Sequence, residues 1–318
     1  MSSALSATAL RPVVELELAD TESARAGERI AAALPPDGLD PDREPGILAR
    51  IGAEALASSV SGALIGELRG FPRSGAPVVV LRNLPRQAHW PSSPTAGWCA
   101  ERELSLLNAL HMGIVQLMGL APYAVEYENA GHLMRNVVPT PTATGTTSSW
   151  GADTEFFWHT DNPHLDFGEP GSDPRPYVPR YLTFTGIRNE EAVPTDVMPL
   201  PYLEQTLDPD LRAALAEPLY DVTAPDSNRA GEARTGVPLL DAAGRVRFDR
   251  GHTTATGPAG VTPLARFTEL LADAPYESLV LGAGDFLAFD NYRTLHRRVG
   301  FTPAPPGRAR WLRRLYAG

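Results

Sequence analysis

The chain changes periodicity near residue 120. Before it, apolar residues recur at helical spacing; after it, they fall in short strand-like runs between turn residues. Thr21 to Leu34 reads as a helix, with Asp20 or Thr21 as N-cap and Pro35-Pro36 as the stop. Ile47, Leu48, Ile51, Ala55, Leu56, Val60, Leu64 and Leu68 predict one helix with a single buried face over Ile47 to Leu68. Leu104, Leu107, Leu110, Ile114 and Leu117 form a second stripe, predicting a helix from Leu104 to Leu117. Pro77 to Leu81 is β-branched and predicts a buried strand, closed by Asn83-Leu84-Pro85.

Beyond Pro122, strands are expected at Leu133–Val138, Glu155–Thr160, Tyr181–Gly186, Val246–Asp249, Ser278–Leu281, Phe286–Asp290 and Arg310–Tyr316. One helix, Pro209 to Ala216, interrupts them. Phe167 to Pro179 and Ala224 to Val237 read as extended loops. Helices first and strands afterwards predict an α+β fold with an antiparallel barrel or sandwich.

Composition narrows the function. With 43% apolar residues in 318, the chain has a sizeable core and is not disordered. A formal net charge of -10 argues against a general nucleic-acid surface, which must be basic to displace counterions from phosphates. Apolar runs such as Val78-Val79-Val80-Leu81 are too short to span a bilayer. The start, Met1-Ser2-Ser3-Ala4, does not read as a signal peptide, so a cytoplasmic location without a membrane partner is expected. Cys99 is the only cysteine, which excludes an internal disulfide and a thiolate zinc cluster.

The chemistry concentrates in Phe156-Phe157-Trp158-His159-Thr160-Asp161. An aromatic strand there would deliver His159 and Asp161 to one face, because residues i and i+2 share a side. With His296 they could form a 2-His-1-carboxylate triad, which leaves open positions on iron(II). His164-Leu165-Asp166 repeats the His-x-Asp spacing in a turn-like stretch with no strand to aim it. His89, His111, His132 and His252 have no spaced partner and read as core or solvated histidines. Downstream, Arg310, Leu312 and Arg314 share one strand face. A guanidinium beside an iron site suits a dicarboxylate cosubstrate, whose carboxylate matches its fork. The competing reading is a basic surface strand.

Several ordered stretches resemble the iron(II)- and 2-oxoglutarate-dependent oxygenases of the clavaminate synthase-like group, which includes free amino-acid hydroxylases. They are Tyr127-Glu128-Asn129-Ala130-Gly131-His132-Leu133, Trp158-His159-Thr160-Asp161, Tyr181 to Asn189, Gly284 to Asn291, and the spacing from His296 to Arg310. The resemblance implies a double-stranded β-helix, or jelly roll, with helices packed outside. The resemblance runs from about Pro77 to the C-terminus, and the chain is read as one oxygenase domain over residues 1–318, with 1–120 as a mostly helical support and 121–318 as the jelly-roll catalytic core. The implied metal ligands are His159, Asp161 and His296; Arg310 and Thr195 would bind 2-oxoglutarate, with dioxygen as cosubstrate. Arg314, Asn129, Ser149 and Asp249 would meet a polar or cationic free amino acid. Asp249 has a rival reading, as a strand end paired with Arg247 or Arg250. Three departures stand out: the group usually carries His-x-Glu, about ten extra residues separate Asp161 from Tyr181, and Gly251 replaces a second side-chain aspartate. The extra stretch, Phe167 to Pro179, is expected to act as a lid. The same cofactor chemistry would also allow desaturation, epoxidation or a carrier-bound substrate. Halogenation would need the carboxylate ligand removed, and a non-catalytic jelly-roll binding protein would need none of these residues together.

Overall fold

The computed structural model describes residues 12–125, 128–146, 148–168, 177–225 and 232–318. The helices are α1 (Asp20–Ala33), α2 (Pro45–Ser59), α3 (Gly62–Gly70), α4 (Ser105–Leu117), α5 (Leu200–Thr206), α6 (Pro209–Ala216) and α7 (Pro258–Asp273). The first seven strands are β1 (Val13–Glu17), β2 (Val78–Arg82), β3 (Pro122–Tyr123), β4 (Arg135–Val137), β5 (Phe156–His159), β6 (Tyr181–Arg188) and β7 (Pro194–Pro199). They are followed by β8 (Tyr220–Thr223), β9 (Ala233–Val237), β10 (Thr253–Ala255), β11 (Glu277–Val280), β12 (Phe286–Asp290), β13 (Thr294–Arg298) and β14 (Trp311–Ala317). The α+β expectation holds, and none of these helices is long and apolar enough to cross a membrane.

Two sheets enclose the site. The larger runs β1-β2-β12-β6-β14-β3, with β4 also on β14; the smaller runs β11-β7-β13-β5. Alternation along β14 sorts its side chains. Leu315 and Ala317 join Val79, Leu81, Phe286 and Ala288 against the helices, whereas Leu312 and Tyr316 join Phe184, Phe289 and Val197 between the sheets. Helices α2 and α4 cross closely on the outer face. A Cβ on Gly52 would lie 1.8 Å from the Ala109 carbonyl oxygen, so only glycine permits that approach. A third sheet, β10-β8-β9, packs with α6 and α7 around Tyr220, Phe248 and Phe267.

Several elements differ from expectation for physical reasons. The single helix over Ile47 to Leu68 is two helices, broken where Val60 turns extended and the Ser61 hydroxyl accepts the Leu64 N–H to start α3. Val246–Asp249 is no strand; only isolated bridges link Val246 to Leu240 and Asp249 to His159. Helix α7 arises in a stretch given no element from the sequence, with proline at 258 and 263. Pro258 occupies the first turn, which needs no N–H donor, and buried Phe267 and Leu271, flanked by half-buried Leu264, supply an apolar stripe. The expected loop from Ala224 to Val237 ends in β9, which pairs with β8. Residues 169–176 and 226–231, within the two expected loops, lie outside the described residues.

Candidate active site

Strand β13 pairs antiparallel with β5, and His296 sits directly opposite His159 in the register. That pairing joins histidines far apart in sequence, with ring centroids 4.0 Å apart. Asp161 lies just past the end of β5. Its Oδ1 is 3.5 Å from His159 Nε2 and 3.3 Å from His296 Nε2. Cis ligands at ~2.1 Å from one ion stand about 3 Å apart, so these separations fit a shared metal. Among the described residues, His159, Asp161 and His296 are the one buried group whose ligand atoms converge in this way.

The histidine surroundings suit ligation. His159 Nδ1 donates to the Phe157 carbonyl at 2.7 Å, which leaves the Nε2 lone pair facing Asp161. Burial pushes His296 down to about 4, helped by neighbouring His159, so its ring is neutral and able to ligate. Burial also opposes a charged His159, but Asp161 and Asp249 outweigh it and raise its pKa above the ordinary value. Burial acts to raise Asp161; Arg314 and the two histidines overcome it and hold the carboxylate well below the usual range. The Asp161 outer oxygen, Oδ2, accepts from Arg314 Nη1 at 2.7 Å and from the Tyr316 hydroxyl at 2.9 Å.

Arg310 occupies the same cavity. Its Nη2 donates to Thr195 Oγ1 at 3.0 Å, while its Nε is buried without a partner. Burial and the nearby Arg298 push this guanidinium down to about 9, with Glu191 only partly opposing them. No carboxylate pairs with its guanidinium among the described residues, so the site is short of an anion. Arg310 and Arg314 both line the cavity beside the triad, as their shared strand face predicts.

On the other side of the triad lie Arg314, Ser149, Asp249, Glu128, Arg135 and Tyr316. Ser149 Oγ accepts from Arg135 Nε at 2.8 Å. Among the described residues, the Asp249 carboxylate accepts the Gly251 N–H, at 2.8 Å to Oδ1, and no other hydrogen bond. Its two expected partners are engaged elsewhere: Arg247 donates to the Pro163 and Leu165 carbonyls, and Arg250 stacks over Phe157. Asp249 therefore faces the cavity without an ion pair among the described residues. Asn129 does not line this cavity. Its side-chain amide donates to the His132 and Met134 carbonyls and closes its own turn, where Asn129 and Ala130 both have positive φ. The neighbouring Glu128 faces inward instead, bound by Arg135, Arg314 and Tyr316.

Sequence reasoning missed Glu128, Arg135 and Tyr316. Tyr316 was accessible from alternation, two residues beyond Arg314 on the same face. Arg135 and Glu128 carried no such signal. The second His-x-Asp does not converge on a shared ligand position among the described residues: Asp166 is exposed and bonds Arg234, and His164 lies 3.5 Å from Glu232.

No protein-family model matches the chain. The sequence is similar to the L-lysine 4-hydroxylase of Niastella koreensis, 28% identical over 83% of this chain and 67% of that protein. It is also similar to the L-lysine 3-hydroxylase of Catenulispora acidiphila, 24% identical over 75% of this chain and 66% of the relative. The enduracididine beta-hydroxylase of Streptomyces hygroscopicus matches at 24% identity over 64% of each. The chain thus spans about two thirds of the length of these relatives. Among solved structures, asparagine oxygenase with Fe(II), 2S,3S-3-hydroxyasparagine and succinate superposes with a TM-score of 0.81. It is 22% identical, and the match covers 95% of this chain and 92% of that one. The non-heme iron oxygenase OrfP with Fe and alpha-ketoglutaric acid gives 0.76 at 23% identity, over 95% and 93%. The fold is that of these oxygenases, and the chain resembles amino-acid hydroxylases related to clavaminate synthase.

Proposed function

We propose that this protein is an iron(II)- and 2-oxoglutarate-dependent hydroxylase of a free, polar or cationic L-amino acid, built as one oxygenase domain on a double-stranded β-helix. One observation carries the reading. A buried His159, Asp161 and His296 triad lies between Arg310, whose guanidinium has no carboxylate partner among the described residues, and a cavity lined by Asp249, which has no ion pair among them. A binding module has no use for that combination.

The donor set fits the metal: His159, Asp161 and His296 would hold iron(II) with two imidazoles and one carboxylate, a set that leaves room for further ligands. When bound, iron(II) with 2-oxoglutarate and dioxygen supplies an oxidant able to take hydrogen from an unactivated C–H bond, with succinate and carbon dioxide released. The chain's own residues bind, orient and shield. Arg310 and Thr195 hold the far carboxylate of 2-oxoglutarate, and burial of Arg310 strengthens that attraction. Arg314 meets the amino acid's carboxylate, with Ser149 and Glu128 on the same wall. Asp249 faces the far end of the side chain. An unpaired carboxylate favours a cation there and repels an acid. This agrees with similarity to hydroxylases named for lysine and enduracididine.

The test is an amino-acid panel incubated with enzyme, iron(II), ascorbate and 2-oxoglutarate, followed by mass spectrometry. The expected result is a gain of one oxygen on a basic amino acid, matched by succinate. Absence of iron-dependent succinate release under every condition would overturn the assignment.

A further inference from the structure

Asp161 poses a structural problem that its own strand does not solve. Strand β5 ends at His159, so no β-ladder partner fixes the Asp161 backbone. A metal ligand on an unsupported turn would be loose, and short: aspartate has one fewer methylene than the glutamate usual at this spacing. Asn291 supplies the missing constraint. Its Oδ1 accepts the Asp161 N–H at 2.9 Å, and its Nδ2 donates to the Asp161 carbonyl at 3.1 Å. The same Nδ2 donates to the Pro179 carbonyl at 2.9 Å, and the Asn291 backbone N–H reaches the Arg180 carbonyl at 2.7 Å. Asn291 is fully buried, and its amide has two donors and one acceptor site in use.

Position gives this amide more than a structural role. Asn291 sits in the turn joining β12 to β13, and β13 carries His296. One side chain therefore ties the backbone of the carboxylate ligand to the hairpin that carries a histidine ligand. Gripping both the N–H and the C=O of Asp161 fixes its peptide planes, and with them the direction of its Cβ. Arg314 and Tyr316 then hold the outer oxygen, leaving Oδ1 toward the two imidazoles.

We infer that Asn291 is a positioning residue for the metal centre, clamping the Asp161 backbone so that its short carboxylate meets His159 and His296 in ligating geometry. The inference rests on the proposed metal site. A residue that merely fills the core would change stability but not the affinity of folded protein for a metal.

Cobalt(II) alone is the probe, titrated anaerobically into metal-free protein by calorimetry and by its visible d–d bands. Asn291→Leu keeps the branching at Cγ, with a somewhat larger side chain, and removes every side-chain hydrogen bond; Asn291→Ala removes the bonds without adding bulk. In folded protein, both should weaken cobalt binding about ten- to hundredfold, the usual range for lost outer-sphere support, and alter the d–d spectrum. Asn136→Ala is the control. It deletes a buried amide that serves Gly97, Trp311 and Arg313 on β14's other face, so it should lower thermal stability and leave cobalt affinity unchanged. Folded Asn291→Leu with wild-type affinity and spectrum would overturn the inference. So would failure of both Asn291 variants to fold, which would make the residue one of folding alone. His159→Ala separates the underlying reading: if it binds cobalt like wild type, the metal site itself is wrong.

Discussion

Arg310→Met should stabilise the metal-free protein while crippling its use of 2-oxoglutarate. Arg310 is 3% exposed, and its guanidinium has one hydroxyl partner, Thr195, and an unpartnered Nε. Burial is the main reason its pKa falls from the ordinary arginine range to about 9. At ~1.4 kcal/mol per pH unit, that drop corresponds to on the order of 5 kcal/mol of disfavoured charge. An arginine does not give up its proton in practice; it holds the charge and awaits an anion. Replacing a poorly compensated buried charge by an apolar side chain of similar length typically gains ~1–4 kcal/mol. For a chain of this size that raises the melting temperature by a few degrees. The cosubstrate feels the opposite effect. Losing a charge-assisted hydrogen bond costs ~1.5–3 kcal/mol, raising the Michaelis constant roughly ten- to hundredfold. Arg310→Lys keeps the charge without the planar fork, so it should weaken 2-oxoglutarate without the gain in stability. The assay is a melting curve of metal-free protein with and without 2-oxoglutarate, alongside succinate release against 2-oxoglutarate concentration. If folded Arg310→Met melts several degrees lower than wild type and keeps its Michaelis constant, Arg310 is a structural hub and the reasoning fails.

Three further predictions follow from the site. His159→Ala should abolish 2-oxoglutarate turnover whereas His164→Ala should retain it; the reverse pattern in succinate release would move the metal to the second His-x-Asp. Asp249→Asn should selectively depress kcat/KM for basic amino acids, by roughly tenfold or more for a lost charge-assisted contact, and an unchanged substrate ranking would remove Asp249 from side-chain recognition. Metal affinity should fall as pH is lowered through the His159 pKa, which lies above the ordinary 6.5, because a proton must leave the ring before the metal binds. The metal-free protein should show the opposite trend. The raised pKa contributes stability that is fully present below pH 6.5 and is lost as pH rises through the folded value. Cobalt titrations and melts across pH check both signs, and a flat cobalt affinity between about pH 6 and 8 would contradict the first.

What was legible in the chain follows from how local each determinant is. The segments Leu104 to Leu117 and Phe286–Asp290 were readable because both are dense in apolar residues, and both are buried nearly all round. Helix α7 was hidden because Pro258 and Pro263 are breakers in most contexts, and only packing on Phe248 shows their turn to be tolerated. The ligands were readable from spacing and resemblance, since a strand end and a downstream histidine leave residue-level marks. Glu128 and Arg135 were not, because their role depends on three segments meeting: the turn at Glu128–Gly131, strand β4 and strand β14. Nothing in the spacing of a glutamate and an arginine announces that a second arginine will arrive between them.

Asp161 is wired into the wall of the proposed substrate cavity. The outer oxygen of the Asp161 carboxylate is taken by Arg314 and Tyr316. Arg314 therefore has two duties under the proposed function: it steadies a metal ligand and meets the substrate carboxylate. A guanidinium has five N–H donors, and here Nη1 serves Asp161 and Nη2 serves Glu128. Nε is buried with no partner, and an unmet buried donor costs ~1–3 kcal/mol. A carboxylate arriving at that edge would satisfy the idle donor without breaking the bond to Asp161. Because both duties meet on one side chain, Arg314→Ala should weaken cobalt binding in the absence of any amino acid and also depress every substrate alike. Normal cobalt affinity in that variant would show that Arg314 serves the substrate alone.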